Sequence, residues 1–490
     1  MLLLSDLING DPSAMTPNAT SPVNILGLAA DSRDVRPGFL FAAIAGEVAD
    51  GRDYIPDAVG QGAVAVLAPP GTAIADTDIP LITDDNPRRR LAQMAARFFP
   101  KQPETVVAVT GTNGKTSVAS FVEQIWRSLG HPAASVGTLG VHGDNLDAPL
   151  AHTTPEPVTL HRTLFDIAEK KIDHVAMEAS SHGLAQYRLD GVRLTAAAFT
   201  NLTHDHLDYH ADEDEYLAAK ARLFAEVLKP GGHAVLNADS LAFPTLAEIC
   251  IARSQHILSF GKAATDIRIV SLKPQSDGQQ VYLQVKGRDH KFLLPLLGDF
   301  QIHNAACALG LVMACGADPE LAVAALAKLH GIKGRIEKVA EHPGGAPIYI
   351  DYAHTPDALE TVLQSLKPHV SNRLVVVFGC GGDRDQTKRR VMGEIASSHA
   401  DQVIVTDDNP RGEDAAAIRK QVLAGCDGAS EFGDRREAIE IAISTLAAGD
   451  LLVIAGKGHE QGQIIKDEVH PFDDATEARD AVAQIAGAKS

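Results

Sequence analysis

The chain has 490 residues, 45% of them hydrophobic and 22% charged, which is enough apolar material for roughly two to four folded domains and excludes a disordered or low-complexity protein. A formal net charge of -19 argues against a duplex nucleic acid or an anionic membrane as partner, though local basic loops can still bind a small anionic substrate. Five scattered cysteines without a C-x-x-C pair, no basic-flanked leader and no apolar run of ~20 residues lead us to expect a cytoplasmic enzyme without membrane insertion or a nucleic-acid partner.

Residues 1 to about 103 read as a first α/β unit. Asp31-Ser32-Arg33-Asp34 forms a polar turn before the strand pattern Phe39–Ile44, and a second strand is expected at Ala63–Leu67. Arg88-Arg89-Arg90 reads as a solvated helix face, and Pro100 and Pro103 mark a linker.

Residues 104–335 read as a second unit of parallel βα repeats. The apolar run Val106–Val109 leads into Thr110-Gly111-Thr112-Asn113-Gly114-Lys115-Thr116-Ser117, and a helical pattern follows. Strand, glycine turn and helix in that order present backbone N–H groups and a helix N-terminus to phosphate. Lys115 would reach the terminal phosphates and the Thr116 hydroxyl would ligate Mg²⁺. The motif is a shortened G-x-x-G-K-T, so it predicts ATP or GTP without saying what the nucleotide drives. His174–Glu178 is a strand ending in a carboxylate, and Ala196–Asn201 is a strand that ends before Thr203-His204-Asp205-His206-Leu207-Asp208-Tyr209-His210. Ligands of open parallel sheets gather at the carboxyl ends of strands, which puts the glycine loop, Glu178 and the His/Asp cluster on one edge. Glu178, His206 and Thr116 can together hold a divalent ion against phosphates. Magnesium prefers oxygen, so His206 also admits Mn²⁺, and the four-residue spacing of His206 and His210 admits zinc. Plain hydrogen-bonding roles for these histidines remain open. By itself Lys220, after the acidic run Asp212–Glu215, reads as a surface lysine. Residues 255–296 alternate with period two and read as added β structure, and Phe300–Asn304 opens an Ala-rich helix.

Residues 336–490 read as a Rossmann-like third unit, with strands at Ile348–Asp351, Leu374–Phe378, Gln402–Val405 and Leu451–Ile454, but without a G-x-G-x-x-G fingerprint and its acidic partner. Asp408-Asn409-Pro410 is a turn signal. Arg411 and Arg384 can also clamp a carboxylate, since guanidinium binds carboxylate bidentately, while Asp408 or Glu460 can hold an ammonium. Such a set suits an amino acid.

Taken together these motifs resemble the Mur ligase family over nearly the whole chain. The carriers are Asp31-Ser32-Arg33, Gly111–Thr116, His152-Thr153-Thr154-Pro155, Met177–Leu184, Asn201 with Asp205–His210, His303-Asn304, Gly334-Arg335, Asp351–Asp357, Gly381–Arg384, Asp408–Arg411 and Gly456–Glu460. The resemblance implies a three-domain α/β fold: a UDP-substrate domain at 1–103, a central P-loop parallel-sheet ATPase domain at 104–335, and a Rossmann-like amino-acid domain at 336–490. It implies an ATP-dependent, ADP-forming ligase of peptidoglycan precursor synthesis. That enzyme would add meso-2,6-diaminopimelate to the D-Glu γ-carboxylate of UDP-MurNAc-L-Ala-D-Glu through an acyl phosphate, with Mg²⁺ as cofactor and a monomer as the expected state.

The same resemblance gives roles to residues. Ser32, Thr153, Thr154, Ser180, Gln186 and Arg188 would hold the UDP-substrate. Gly111, Thr112, Asn113, Gly114, Lys115, Thr116, Ser117, Asn304, Arg335 and Asp351 would hold ATP. Thr116, Glu178, His206 and a carbamylated Lys220 would hold the metal, with Lys115, Lys220 and His206 catalytic. Arg384, Asp408, Asn409, Pro410, Arg411, Gly456 and Glu460 would bind diaminopimelate, and the lysine-adding relatives lack this Asp-Asn-Pro-Arg pattern. His152 departs from relatives that carry Asn there. Two rival readings are a folylpolyglutamate-type ligase, disfavoured by the Asp-Ser-Arg unit, and a P-loop regulatory ATPase.

Overall fold

The computed structural model describes residues 2–8, 22–46, 49–74, 78–202, 212–275 and 278–487. It divides into two compact units, residues 1–268 with 304–325, and residues 269–303 with 326–490. Among the described residues no helix is long and apolar enough to cross a membrane.

The first unit contains a small parallel sheet and the parallel core of a larger mixed one. The smaller has β1 (Gly27–Ala29), β2 (Phe39–Ala42), β3 (Ala65–Ala68) and β4 (Leu81–Thr83) paired in chain order. Helix α1 (Pro87–Phe98) packs Leu91, Met94 and Ala95 into its core. The triple arginine that opens this helix is a solvated face only in part: Arg89 stays 46% exposed, whereas Arg90 turns inward. Arg90 is only 13% exposed, with Nη2 on the Ile8 carbonyl at 3.4 Å, while Arg88 donates to Ala45 O and Arg89 pairs with Asp190 at 3.0 Å. Long cationic stems lie along apolar surface while their heads find acceptors, so a charge run alone does not predict exposure.

The larger sheet supplies the site. Its parallel core has β5 (Thr105–Thr110), β6 (Ala133–Gly137), β7 (His174–Glu178), β8 (Ala196–Phe199), β9 (His233–Asn237) and β10 (His256–Gly261) in the order β6-β7-β5-β8-β9-β10. β5 is apolar on both faces because helices cover both; Val106, Val107, Ala108 and Val109 are all buried. Helix α2 (Lys115–Ser128) places Val118, Phe121, Val122 and Ile125 on one stripe, all fully buried. Each such side chain contributes roughly 1.5–3 kcal/mol on burial. After β5 the chain builds β6 and β7 on one side, then β8 on the other, so strand order reverses around the carboxyl end of β5. That is where ligands bind in open α/β sheets.

In the second unit, β11 (Gly278–Val285) and β12 (Arg288–Leu294) form an antiparallel hairpin, as the period-two pattern predicts. The second sheet comprises β13 (Glu337–Glu341), β14 (Pro347–Asp351), β15 (Leu374–Phe378), β16 (Gln402–Val405), β17 (Ser430–Glu431) and β18 (Leu451–Ala455) in the order β13-β14-β18-β15-β16-β17. All pairs are parallel except β13 with β14. Strand β15 shows the logic of a doubly covered sheet: Leu374, Val376 and Phe378 feed one core, Val375 and Val377 the other.

Candidate active site

The glycine loop follows β5. Gly111 (φ 147°) and Gly114 (φ 85°) both adopt positive φ, and a Cβ on either would collide, with Thr200 Oγ1 and Asn304 Oδ1 respectively. Asn304 lies in helix α6 (Asp299–Ala314), so the predicted ATP contact touches the loop it was expected to serve. The loop is fastened to the end of β8. Asn201 O accepts from Thr112 N–H at 2.9 Å, Asn201 Oδ1 accepts from Asn113 N–H at 2.9 Å, and Thr200 Oγ1 donates to Asn113 O at 2.7 Å. Lys115 Nζ folds back to Gly111 O at 2.9 Å and Thr112 O at 2.8 Å. The N-terminus of α2, capped by Gly114 without a side-chain acceptor, faces the loop with its partial positive charge.

Lys220 lies in helix α5 (Glu213–Arg222), which Asp212 caps through Glu215 N–H. It is buried, 1% exposed, with Nζ on Gly111 O at 2.9 Å and 4.0 Å above the Tyr216 ring. The surface reading of this lysine is therefore overturned: tertiary packing turns the acidic run outward and Lys220 inward, onto the glycine loop. Tyr216 OH in turn reaches Thr112 Oγ1 at 3.3 Å.

Glu178 ends β7 in register with Val109, directly beside the loop. It is 2% exposed, and its carboxylate accepts from Thr138 N–H at 2.8 Å and Thr138 Oγ1 at 3.3 Å. From it runs a connected network of the predicted UDP-substrate residues. Thr138 Oγ1 lies 3.0 Å from Thr153 Oγ1, Thr154 Oγ1 donates to Glu178 O at 2.9 Å, and Ser180 N–H donates to Thr154 Oγ1 at 2.9 Å. Arg188 donates to Thr154 O and Gln186 Oε1, both at 2.7 Å. Ser180 also caps the short helix α4 (Ser181–Ala185). Ser32 is not joined to this network by a hydrogen bond; it starts a one-turn helix capped by Asp31. His206 lies outside the described residues, so the expected metal set is seen here only through Thr116, Glu178 and Lys220.

The second unit brings the other predicted residues to the carboxyl ends of β14, β15, β16 and β18. Asp351, at the end of β14, is buried and accepts from Ile336 N–H and Ala353 N–H, each at 2.8 Å. Burial pushes its pKa up against the opposing Arg335 charge and those two N–H groups. Arg335 lies over the Tyr352 ring at 4.6 Å. Asn409 Oδ1 accepts from Lys457 Nζ at 2.8 Å and Ile464 N–H at 2.9 Å, which turns its amide N–H toward Glu460 Oε2 at 3.0 Å. Arg411 has φ 49°, an uncommon conformation for a side chain, held by Arg411 N–H on Ile464 O and Lys466 N–H on Arg411 O. Its guanidinium donates to Gly382 O at 3.0 Å. Arg384 is exposed in the neighbouring loop. Asp408 is 8% exposed, its Oδ2 against Gly456, and its carboxylate accepts no hydrogen bond from any described residue. A carboxylate that the protein leaves unpaired in a largely buried residue is a place for a donor, and an ammonium suits it best.

Four side chains that sequence reasoning passed over build these sites. Thr138 orients Glu178 and Thr200 fastens the glycine loop. Lys457, fully buried between two glycines, orients Asn409. Arg389, also fully buried, holds Glu413 at 2.8 Å and Gly381 O at 3.1 Å; its hydrogen bonds hold the Glu413 carboxyl down at about 2. Only Lys457 carried a signal, a lysine inside a Gly-rich turn after an apolar strand.

A parallel-sheet unit with a glycine loop, a buried carboxylate and a buried lysine, and a second parallel sheet with an acidic side chain at its strand ends, are parts that suit an ATP-dependent ligase. Three family models match in order: "Mur ligase family, catalytic domain" over 24–99, "Mur ligase middle domain" over 109–312 and "Mur ligase, glutamate ligase domain" over 334–458. The chain is 50% identical to the UDP-N-acetylmuramoyl-L-alanyl-D-glutamate–2,6-diaminopimelate ligase of Bradyrhizobium diazoefficiens, over 96% of this chain and 97% of that one. It is 48% identical to the ligase of the same name from Caulobacter vibrioides, over 98% and 99%. A solved structure of a ligase of that name superposes with TM-score 0.72 at 35% identity, covering 94% and 95% of the two chains. The chain belongs to the Mur ligase family and has its three-domain α/β fold.

Proposed function

We propose that the protein adds meso-2,6-diaminopimelate to UDP-MurNAc-L-Ala-D-Glu with ATP, in peptidoglycan precursor synthesis. The observation that carries the amine half is the buried Asp408 carboxylate beside Gly456, Asn409, Arg411 and Glu460. The ammonium at the distal centre of diaminopimelate would sit between Asp408 and Glu460, and its carboxylate on Arg411 and Arg384. L-Lysine has the ammonium but lacks that second carboxylate, which leaves the guanidinium groups without a partner.

The chemistry has two steps. An oxygen of the D-Glu γ-carboxylate attacks the γ-phosphorus of ATP, the bond to the bridging oxygen breaks, and ADP leaves. The amine then attacks the acyl phosphate carbonyl, loses a proton and expels phosphate. The protein's part is positioning and charge neutralisation. Backbone N–H groups from Gly111 to Ser117 and the α2 N-terminus would cradle the phosphates. Lys115 would leave the loop carbonyls for the terminal phosphate oxygens. Thr153, Thr154, Ser180, Gln186 and Arg188 would hold the muramyl peptide beside Glu178, and Ser32 the uridine part. Arg335 and Asp351 would serve the nucleotide, Asp351 by fixing the backbone around Arg335 and Tyr352. The modules assigned to UDP-substrate, ATP and amino acid are 1–103, 104–335 and 336–490.

The donor set fits a hard divalent ion: a buried carboxylate already oriented by Thr138, and a hydroxyl at the helix start. Glu178, Thr116, His206 and Lys220 would hold Mg²⁺, which when bound neutralises phosphate charge. As an ammonium Lys220 cannot ligate; a carbamate on its Nζ turns it into an oxygen donor. Lys220→Ala should therefore be inactive and partly rescued by short carboxylic acids, and full activity without rescue would remove this role. The product assay tests the whole reading: with ATP, the UDP-dipeptide and diaminopimelate, mass spectrometry should find the nucleotide precursor heavier by one diaminopimelyl residue, with equimolar ADP. No mass gain alongside ADP production would contradict it.

A further inference from the structure

Within the second unit lies an ion pair shut off from solvent. Arg435, the first residue of helix α7 (Arg435–Ser444), meets Asp474, the first of helix α8 (Asp474–Gly487), through two bonds of 2.7 Å, and both side chains are 0% exposed. Desolvating two charges is costly, and a pair of apolar side chains of similar volume would fill the space as well or better for stability. The remaining protons of the guanidinium show what the charge is for. Nη2 also donates to Ala455 O at 3.0 Å, and Nη1 to Asp407 O at 3.4 Å. The residue after each of these carbonyls belongs to the amino-acid pocket: Gly456 and Asp408.

The topology leaves this bridge something to add. Ala455 ends β18 and Asp407 follows β16, and these strands are not neighbours, because β15 lies between them. They are registered to each other only through β15, Val405 opposite Phe378 and Ile454 opposite Val377, and no ladder hydrogen bond joins the loops beyond them directly. Gly456 (φ 113°) nonetheless sits against Asp408 Oδ2, 2.7 Å from where a Cβ would be, so the fit is close. Burial alone pulls the Arg435 pKa down, but the carboxylates of Asp474, Asp408 and Glu460 more than reverse this, so the cation also feels the pocket's charge.

We infer that Arg435 and Asp474 are a positioning pair that spaces the ends of β16 and β18 and so sets the affinity for the incoming amino acid. The inference rests on the reading of residues 408–411 and 456–460 as the amino-acid pocket. Removing Arg435 alone strands a buried carboxylate and threatens folding, so the test is the double variant Arg435→Met/Asp474→Leu, in which the core is refilled. Its melting temperature should equal or exceed that of the parent protein. The KM for diaminopimelate should rise about tenfold, the worth of hydrogen bonds from a charged donor, with the KM values for ATP and the UDP-dipeptide within about twofold. A folded double variant with unchanged KM for diaminopimelate, or with all three KM values raised alike, overturns the inference. Should the double variant not fold, Arg435→Lys decides: it keeps the charge but loses the fork, so the diaminopimelate KM should rise selectively, and no rise overturns the inference. If the parent protein does not use diaminopimelate at all, the pocket reading fails instead, and the same variants are then scored with whichever amine supports ADP release.

Discussion

In the first unit, eight consecutive residues from Thr110 to Ser117 supply the turn, the lysine and the hydroxyl of the nucleotide loop, and neighbours at Thr200, Asn201 and Asn304 fasten it. In the second, the proposed amino-acid pocket draws on the ends of strands far apart in the chain, with buried cations at Arg389, Arg435 and Lys457 beneath it. Phosphate is bound by backbone N–H groups and a helix end, which any sequence can present once glycines allow the turn. An amino acid with two charged ends needs side chains of fixed type at fixed separations, and these need buried supports.

That contrast predicts how each region breaks. The largest effect should come from Lys115→Ala, which removes the charged side chain of the loop: kcat should fall about 10³-fold, as for loss of a principal transition-state donor, with the fold intact by circular dichroism. Near-normal turnover would end the nucleotide assignment. Next comes acid stability of the first unit. His161 is fully buried in helix α3 (Pro157–Glu169), its Nε2–H on Asp190 O at 3.0 Å, and burial, against that hydrogen bond, lowers its pKa to about 4. The unfolded chain, with a histidine near 6.5, then binds the extra proton first as pH falls. Stability should therefore drop between pH 6.5 and 4, by about 3 kcal/mol at most. His161→Phe should flatten that slope in denaturant titrations, and an unchanged slope would refute the assignment.

Asp408→Asn sharpens the contrast from the other side. It should raise the KM for diaminopimelate about 30- to 100-fold, the cost of removing one partner of a desolvated charge pair, while leaving the KM for ATP within about twofold; equal changes in both would place Asp408 outside the amine site. Gly114→Ala, which meets Asn304 Oδ1, should do the reverse and more mildly, raising the KM for ATP about tenfold through a strain of roughly 1–2 kcal/mol.

The two regions also differ in how readable they were. The loop was legible because its function is contiguous, and the strands at Val106–Val109 and Leu374–Phe378 because sheets covered on both faces demand unbroken apolar runs. Arg411 and Asp408 could be read from their chemistry only as one possibility beside a plain turn, and a pattern shared with a family was needed to choose between the two. Arg435 follows a helix cap, Asp434, and reads as a first-turn surface residue; its burial depends on Asp474, 39 residues later. Arg90 and Lys220 misled in the same way, since the partners that draw them inward, Ile8 O and Gly111 O, lie 82 and 109 residues away.

The central claim is that ATP cleavage answers to an amine chosen in the second unit. ADP release measured with the UDP-dipeptide and, in turn, diaminopimelate, L-lysine or L-glutamate tests it most directly. Turnover should be sustained only with diaminopimelate, at least about 100-fold above L-lysine in kcat/KM because the distal carboxylate is then missing. Equal rates with all three amines, or ADP release that needs neither amine nor UDP-dipeptide, would contradict the account.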